Sequence, residues 1–165
     1  MELRKLIKLI EQWAIDRGID KNGTVEGQLI KTAEEVSELI IGISKDDIDV
    51  IKDSIGDVFV TLVIGNMLDK RFDMYKLMES LDRRLLMEPI KIIDLVSFNI
   101  HYLNLILKNE AYSQFETWGL IEGLTVISDW YELDFVECVE SAYNEIVDRQ
   151  GVVKNGTFIK EDDLI

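Results

Sequence analysis

The sequence holds one histidine, His101, one cysteine, Cys138, and one proline, Pro89, in 165 residues. A single histidine excludes zinc sites built on several imidazoles and di-iron bundles built on paired Glu-x-x-His. Any Ser-His-Asp or Cys-His nucleophile would have to use His101, which sits in an apolar stretch where a core or interface role is expected. One cysteine excludes an intrachain disulfide framework and suits a reducing, cytoplasmic compartment. Neither common glycine-rich phosphate loop occurs. No long apolar core followed by a small-residue cleavage site is read near the N-terminus, so no signal peptide is expected. The densest apolar run, Val58 to Leu68, contains Thr61, Gly65 and Asn66 and is too short to span a bilayer.

Basic residues are also scarce. There are 18 against 32 acidic ones, a net charge of −14. A surface this acidic repels phosphate backbones and anionic lipid, so neither nucleic acid nor membrane is an expected partner. A nucleotide would meet the same repulsion and would need bridging cations or a local basic patch.

What is present is enough apolar material for a core, 47% of residues, with a well-charged remainder at 30%. Length and composition suit one folded domain over 1–165. Alternating apolar and polar runs are few and helical spacing dominates, so the expected class is all-α, a helical bundle. A first helix is predicted from Glu2 to Arg17, stopping at Gly18, followed by a polar loop, Ile19 to Gly23. Thr24 can cap a second helix to about Ile43. The segment Ser44-Lys45-Asp46-Asp47 restarts the chain into a third, reaching about Leu68, apolar on most sides after Asp57 and therefore central. A fourth is predicted over Met74 to Met87 behind Asp73, and a fifth from Pro89 to about Lys108. Ser113 with Glu116 and Asp134 with Glu137 give capping patterns for a sixth and a seventh, the last ending near Gln150 with Gly151 as its stop. The tail from Val152, with Asn155-Gly156, reads as a turn plus an extended arm.

An α-helix turns about 100° per residue. On the second helix Leu29, Ala33, Val36, Leu39, Ile40 and Ile43 share one face. Gln28, Lys31, Glu35, Glu38 and Gly42 fall within an arc of about 80° on the other, with Glu34 at its edge. Alone this is an ordinary solvated face. The third helix adds Asp53 and Asp57, one turn apart and on the same side, at the rim of a buried stretch with no lysine or arginine in the next two turns. A short connection should pack the two helices antiparallel, so that Asp53 and Asp57 face Glu35 and Glu38. Four carboxylates in one cleft cannot all ionise without a counter-cation, and all-oxygen ligation suits magnesium or manganese.

Glu34-Glu35-x-x-Glu38 followed by Asp53-x-x-Gly56-Asp57 on an apolar helix resembles the all-α nucleoside triphosphate pyrophosphatase superfamily, in its MazG-like branch. Gln28-x-x-Lys31-Thr32-Ala33 is similar to that family too, as are Arg149-x-Gly151, Lys154-x-Gly156 and Phe158-x-Lys160. The resemblance covers about 24 to 69 and the last thirty residues; the stretch from about 74 to 132 is placed only as additional helices. The family often carries Glu-x-x-Asp on its second metal helix, where this chain has Ser54 and the extra acid is Asp53.

The resemblance implies a four-helix-type catalytic core with added helices. It implies a magnesium-dependent hydrolase, with manganese as the other candidate ion, that cleaves a nucleoside triphosphate to monophosphate and pyrophosphate. Glu35, Glu38 and Asp57 would be ligands. Asp53 would be a ligand or would orient or deprotonate the attacking water, a task for which Glu34 is the other candidate. Gln28 and Lys31 would lie on the substrate side, with Lys31 on phosphate oxygens, and Arg149, Lys154 and Lys160 would close over them. Apart from the resemblance, Trp13, Trp118 and Trp130 suit core or interface positions, and of the three Trp13, near Arg17, is the candidate for a base pocket. The family implies a homodimer or homotetramer, and the apolar third and fifth helices point the same way.

Two other readings compete with this one. Asp46-Asp47-Ile48-Asp49 resembles a fragment of the aspartate-rich motif of prenyl-diphosphate enzymes, but a helix cap with first-turn acids explains it more simply. An acidic helical interaction protein (adaptor, antitoxin or nucleic-acid mimic) suits the charge but leaves the inward Asp57 unexplained.

Overall fold

The computed structural model describes residues 1–79 and 91–164. Its helices are α1 (Leu3–Asp16), α2 (Ile19–Asn22), α3 (Val25–Lys45), α4 (Ile48–Asp69), α5 (Met74–Glu79), α6 (Ile92–Asn109), α7 (Gln114–Trp130) and α8 (Phe135–Ile146). An antiparallel pair follows, β1 (Gly151–Lys154) and β2 (Thr157–Lys160), and then a 3₁₀ turn, Glu161–Asp163. The all-α class therefore holds. Pro89 and the predicted end of the fourth helix lie outside the described residues.

Local chemistry accounts for most boundaries. Thr24 caps α3 by accepting from Gly27 N at 3.0 Å, and Asp134 caps α8 by accepting from Glu137 N at 3.0 Å. At the α3–α4 junction, Ser44 is still helical, its Oγ donating to Ile41 O. Asp46 ends α3 in the left-handed region, and Asp47 caps α4 by accepting from Val50 N at 3.2 Å. Asp46 and Asp47 are thus helix-boundary residues.

Four expectations change. The loop at Ile19 to Gly23 contains the single turn α2, because Ile19, 3% exposed, plugs into the core and pulls its neighbours into register. Ser113 stands at the N-cap of α7 but makes no cap bond; its partner in the predicted box, Glu116, instead accepts from Asn109 Nδ2. The last helix stops at Ile146 rather than near Gln150, because Arg17 donates to Val147 O at 2.7 Å and to Arg149 O at 2.9 Å and draws the chain out of the helix. His101 is exposed on α6, edge-on to Tyr102, and is not a core residue.

The core centres on α4, whose residues from Ser54 to Asn66 are buried except for Asp57. It packs antiparallel on α3 through a two-residue joint and against α8, α1 and α7. Contact with α8 depends on Gly56: a Cβ there would stand 2.4 Å from Cys138 O and 2.7 Å from Ala142 Cβ, so only glycine lets the two helices approach this closely. Cys138 is fully buried at that crossing, and burial pushes its thiol up to about 11, which keeps it unreactive.

The hairpin β1–β2 turns on Asn155 and Gly156, both with positive φ, the geometry of a two-residue turn whose twist matches the strands. Gly156 O accepts from Thr24 N at 3.0 Å and seats the turn against the start of α3. Among the described residues, no helix is long and apolar enough to cross a membrane.

Candidate active site

The α3–α4 pair, the end of α8 and the hairpin enclose a cavity of about 240 Å³. The polar stripe expected on α3 lines it, through Gln28, Lys31, Glu34, Glu35 and Glu38, and Asp53 and Asp57 line it from α4. The stripe is only partly solvated, with Glu34 and Glu38 exposed and its other side chains drawn inward. Glu35 is only 9% exposed and Gln28 8%. Gln28 Nε2 donates to Thr61 O at 3.3 Å, tying the two helices together beside the acids.

Arg149, Lys160 and Trp13 also line the cavity, so residues from both ends of the chain reach one place. Lys154 does not. It is exposed on β1 opposite Thr157, beside the turn, whereas Lys160 pairs with Gly151 at the end of the hairpin nearer α8. Trp13 is 7% exposed and occupied by the protein itself. Its Nε1 donates to Ile146 O at 2.7 Å, Phe158 meets it edge-on with ring centres 5.3 Å apart, and the Arg17 guanidinium lies 5.0 Å from its ring. Trp13 and Phe158 thus form an apolar wall at the side of an acidic cavity. Trp118 and Trp130 do not line it.

Glu145, on the last turn of α8, and Asp163, in the 3₁₀ turn, line the cavity and were not anticipated. The only trace of Glu145 in the sequence is its position four residues before Arg149.

The electrostatics are those of crowded, partly desolvated acids. Asp57 is held up to about 8 by burial first, then by the charges of Glu35, Asp53 and Glu145, with Arg149 opposing. Asp53 is raised by burial, then by the charge of Glu145 and a hydrogen bond to it, and by Glu35. Glu35 is raised too, by burial ahead of Glu38 and Glu34, against the pull of Lys31. Burial works to lower the Lys31 ammonium, but its bonds to Glu34 and Glu35 outweigh that and raise it.

Two cations temper the cluster. Lys31 Nζ lies 2.7 Å from Glu34 Oε2 and 3.1 Å from Glu35 Oε1. Arg149 pairs with Glu145. The acids surround the cavity without forming a closed cage: among the described residues, no three acidic, imidazole or thiol side chains are grouped about one ion position. The donor set nonetheless fits a hard divalent cation, since it is all oxygen and carries more negative charge than Lys31 and Arg149 balance.

Compared with known proteins, the chain is 54% identical over 63 residues to an uncharacterized 18.2 kDa protein in the rep-hol intergenic region of Haemophilus phage HP1 (strain HP1c1). The match covers 38% of this chain and 39% of that protein's length. No family model matches the chain, and no solved structure matches it.

Proposed function

We propose that the protein is a magnesium-dependent nucleoside triphosphate pyrophosphohydrolase of MazG-like type, releasing monophosphate and pyrophosphate. The observation that carries this reading is Asp57. Its half-buried carboxyl faces the charges of Glu35, Asp53 and Glu145 and is held near 8, as expected of a site short of positive charge.

A magnesium or manganese ion among Glu35, Glu38, Asp53 and Asp57 would neutralise phosphate charge and acidify a bound water. The chain's own groups supply the remainder. Lys31 and Arg149, with Lys160 at the rim, are the cations available to phosphate oxygens, and Arg149 can engage two of them at once. Asp53, raised by burial and by its acidic neighbours and exposed to solvent, can take a proton from an attacking water. Glu34 is the alternative, at present engaged with Lys31. The Trp13–Phe158 wall would carry the flat part of the substrate away from the acids.

The test is a panel of canonical and damaged nucleotides with magnesium in isotopically labelled water. Monophosphate and pyrophosphate should be the products, with solvent oxygen in the monophosphate. Label confined to pyrophosphate would place attack at the β phosphorus, and orthophosphate with a diphosphate would indicate a γ-phosphatase. No metal-dependent turnover of any nucleotide would favour the acidic interaction protein instead.

A further inference from the structure

Two of the three cations that line the cavity, Lys31 and Arg149, are already engaged. Lys31 is bound to Glu34 and Glu35, and Arg149 to Glu145. The main chain around Arg149 is anchored independently of its side chain. Trp13 donates to Ile146 O, and Arg17 donates to Val147 O and to Arg149 O. The backbone is thereby fixed while the guanidinium rests on an ion pair whose acidic partner is 53% exposed. Pairs of that kind are weak and readily exchanged. Glu145 in turn lies against Asp53, so a carboxylate from α8 meets one from α4 at the cavity wall.

Resting on the function proposed above, we infer that Glu145 is a further carboxylate of the cation site, that Arg149 holds its place until a divalent ion arrives, and that the exchange releases the guanidinium to the phosphates of the substrate. The physical basis is competition for the same oxygens. Magnesium takes carboxylate oxygens at about 2.0–2.1 Å with twice the charge. A guanidinium bonds them at about 2.7–2.9 Å and shares its charge over a plane. Once Glu145 turns to the ion, Arg149 keeps its anchored backbone and has only its side chain to move. The arrangement orders binding, with the ion favouring capture of the anion, and it withholds a strong phosphate donor from the ion-free cavity.

The test is manganese binding to the nucleotide-free protein, by calorimetry and by the spin resonance of the ion, for wild type, Glu145→Gln, Arg149→Met and the double variant. Glu145 is on the last turn of α8 and Arg149 lies just beyond it, and circular dichroism with thermal unfolding checks that each variant is folded. Glu145→Gln should weaken manganese at least about fivefold, with partial recovery in Glu145→Asp. Arg149→Met should tighten it. In the Glu145→Gln background the Arg149→Met gain should vanish, because the two compete for one group. A gain of equal size in both backgrounds would show that Arg149 acts only through its field and would overturn the exchange. So would a loss under fivefold in Glu145→Gln. Either result leaves the proposed hydrolase standing if wild type binds manganese. A wild-type chain that binds none overturns both.

Discussion

Asp57 on α4 and Glu35 on α3 line the same cavity, and Glu35 is the leading charge that, after burial, raises the Asp57 carboxyl to about 8. The folded chain therefore keeps a proton that the unfolded chain releases near the ordinary carboxyl value. For a group raised in this way, stability is highest at low pH, falls as pH rises from about 4, and reaches its full penalty above about 8. In chelator, Asp57→Asn should remove that penalty. We expect the variant to unfold at a higher temperature than wild type above pH 8, by roughly 1–3 kcal/mol, with the difference shrinking to nothing near pH 4. Thermal unfolding across that range measures it. A constant difference at all pH values would detach the effect from ionisation.

Metal binding should have the opposite slope. Ligation needs the ionised carboxylate, so affinity for manganese should rise with pH up to about 8. Asp57→Asn should lose both the affinity and its pH dependence. Calorimetric titrations at several pH values give the answer, and a flat profile in wild type would remove Asp57 from the ligand set.

Glu38→Gln and Asp57→Asn should each lower turnover at least about 100-fold while leaving the helical content unchanged. Excess chelator should do the same to the wild-type chain. Full activity in both variants, or in chelator, would contradict the catalytic assignment.

The α4–α8 crossing should tolerate nothing larger than glycine at position 56. In Gly56→Ala the new methyl meets Cys138 O and Ala142. Because α8 carries Glu145 and leads to Arg149, forcing the helices apart should cost about 1–3 kcal/mol of stability and also weaken manganese binding. Denaturant unfolding together with metal titration reads both effects. An unperturbed variant would mean that the crossing is looser than the close approach implies.

Self-association is expected through α6 and α7. The apolar faces of α4 are covered within the chain, which removes half of the original reason to expect a partner. On α6 and α7, however, Ile93 and Phe115 are each 63% exposed and Ile100 is 46% exposed. Sedimentation at micromolar concentration should show a species heavier than the 19.0 kDa chain. Ile93→Glu with Phe115→Glu should dissolve it. A wild-type chain that sediments as a monomer would refute the association.

The carboxylate stripe was legible because it is local. Lys31, Glu35 and Glu38 share a side of α3 for the same periodic reason that Val36 and Leu39 share another, and Asp53 and Asp57 repeat the logic on α4. Thr24 and Asp134 announced their helices because a cap acts across three residues. Even the Asn155-Gly156 turn was readable, since its backbone needs are met by those two residues.

What lies beyond one turn was decided by packing. Nothing local tells Glu145 from the other acids of α8; its place opposite Asp53 follows from the angle and closeness that Gly56 allows. Lys154 and Lys160 look alike in the sequence, and only the strand register puts one at the cavity and the other beside the turn. The early end of α8 depends on Arg17, a residue from the opposite end of the chain. The sequence by itself determined most of the helices, the caps at Thr24 and Asp134 and which side chains share a helical face, because those depend on neighbours a few bonds away. The tertiary structure alone decided which faces meet, which acids lose their water and which cations reach them, because those depend on contacts between segments that the chain order keeps apart.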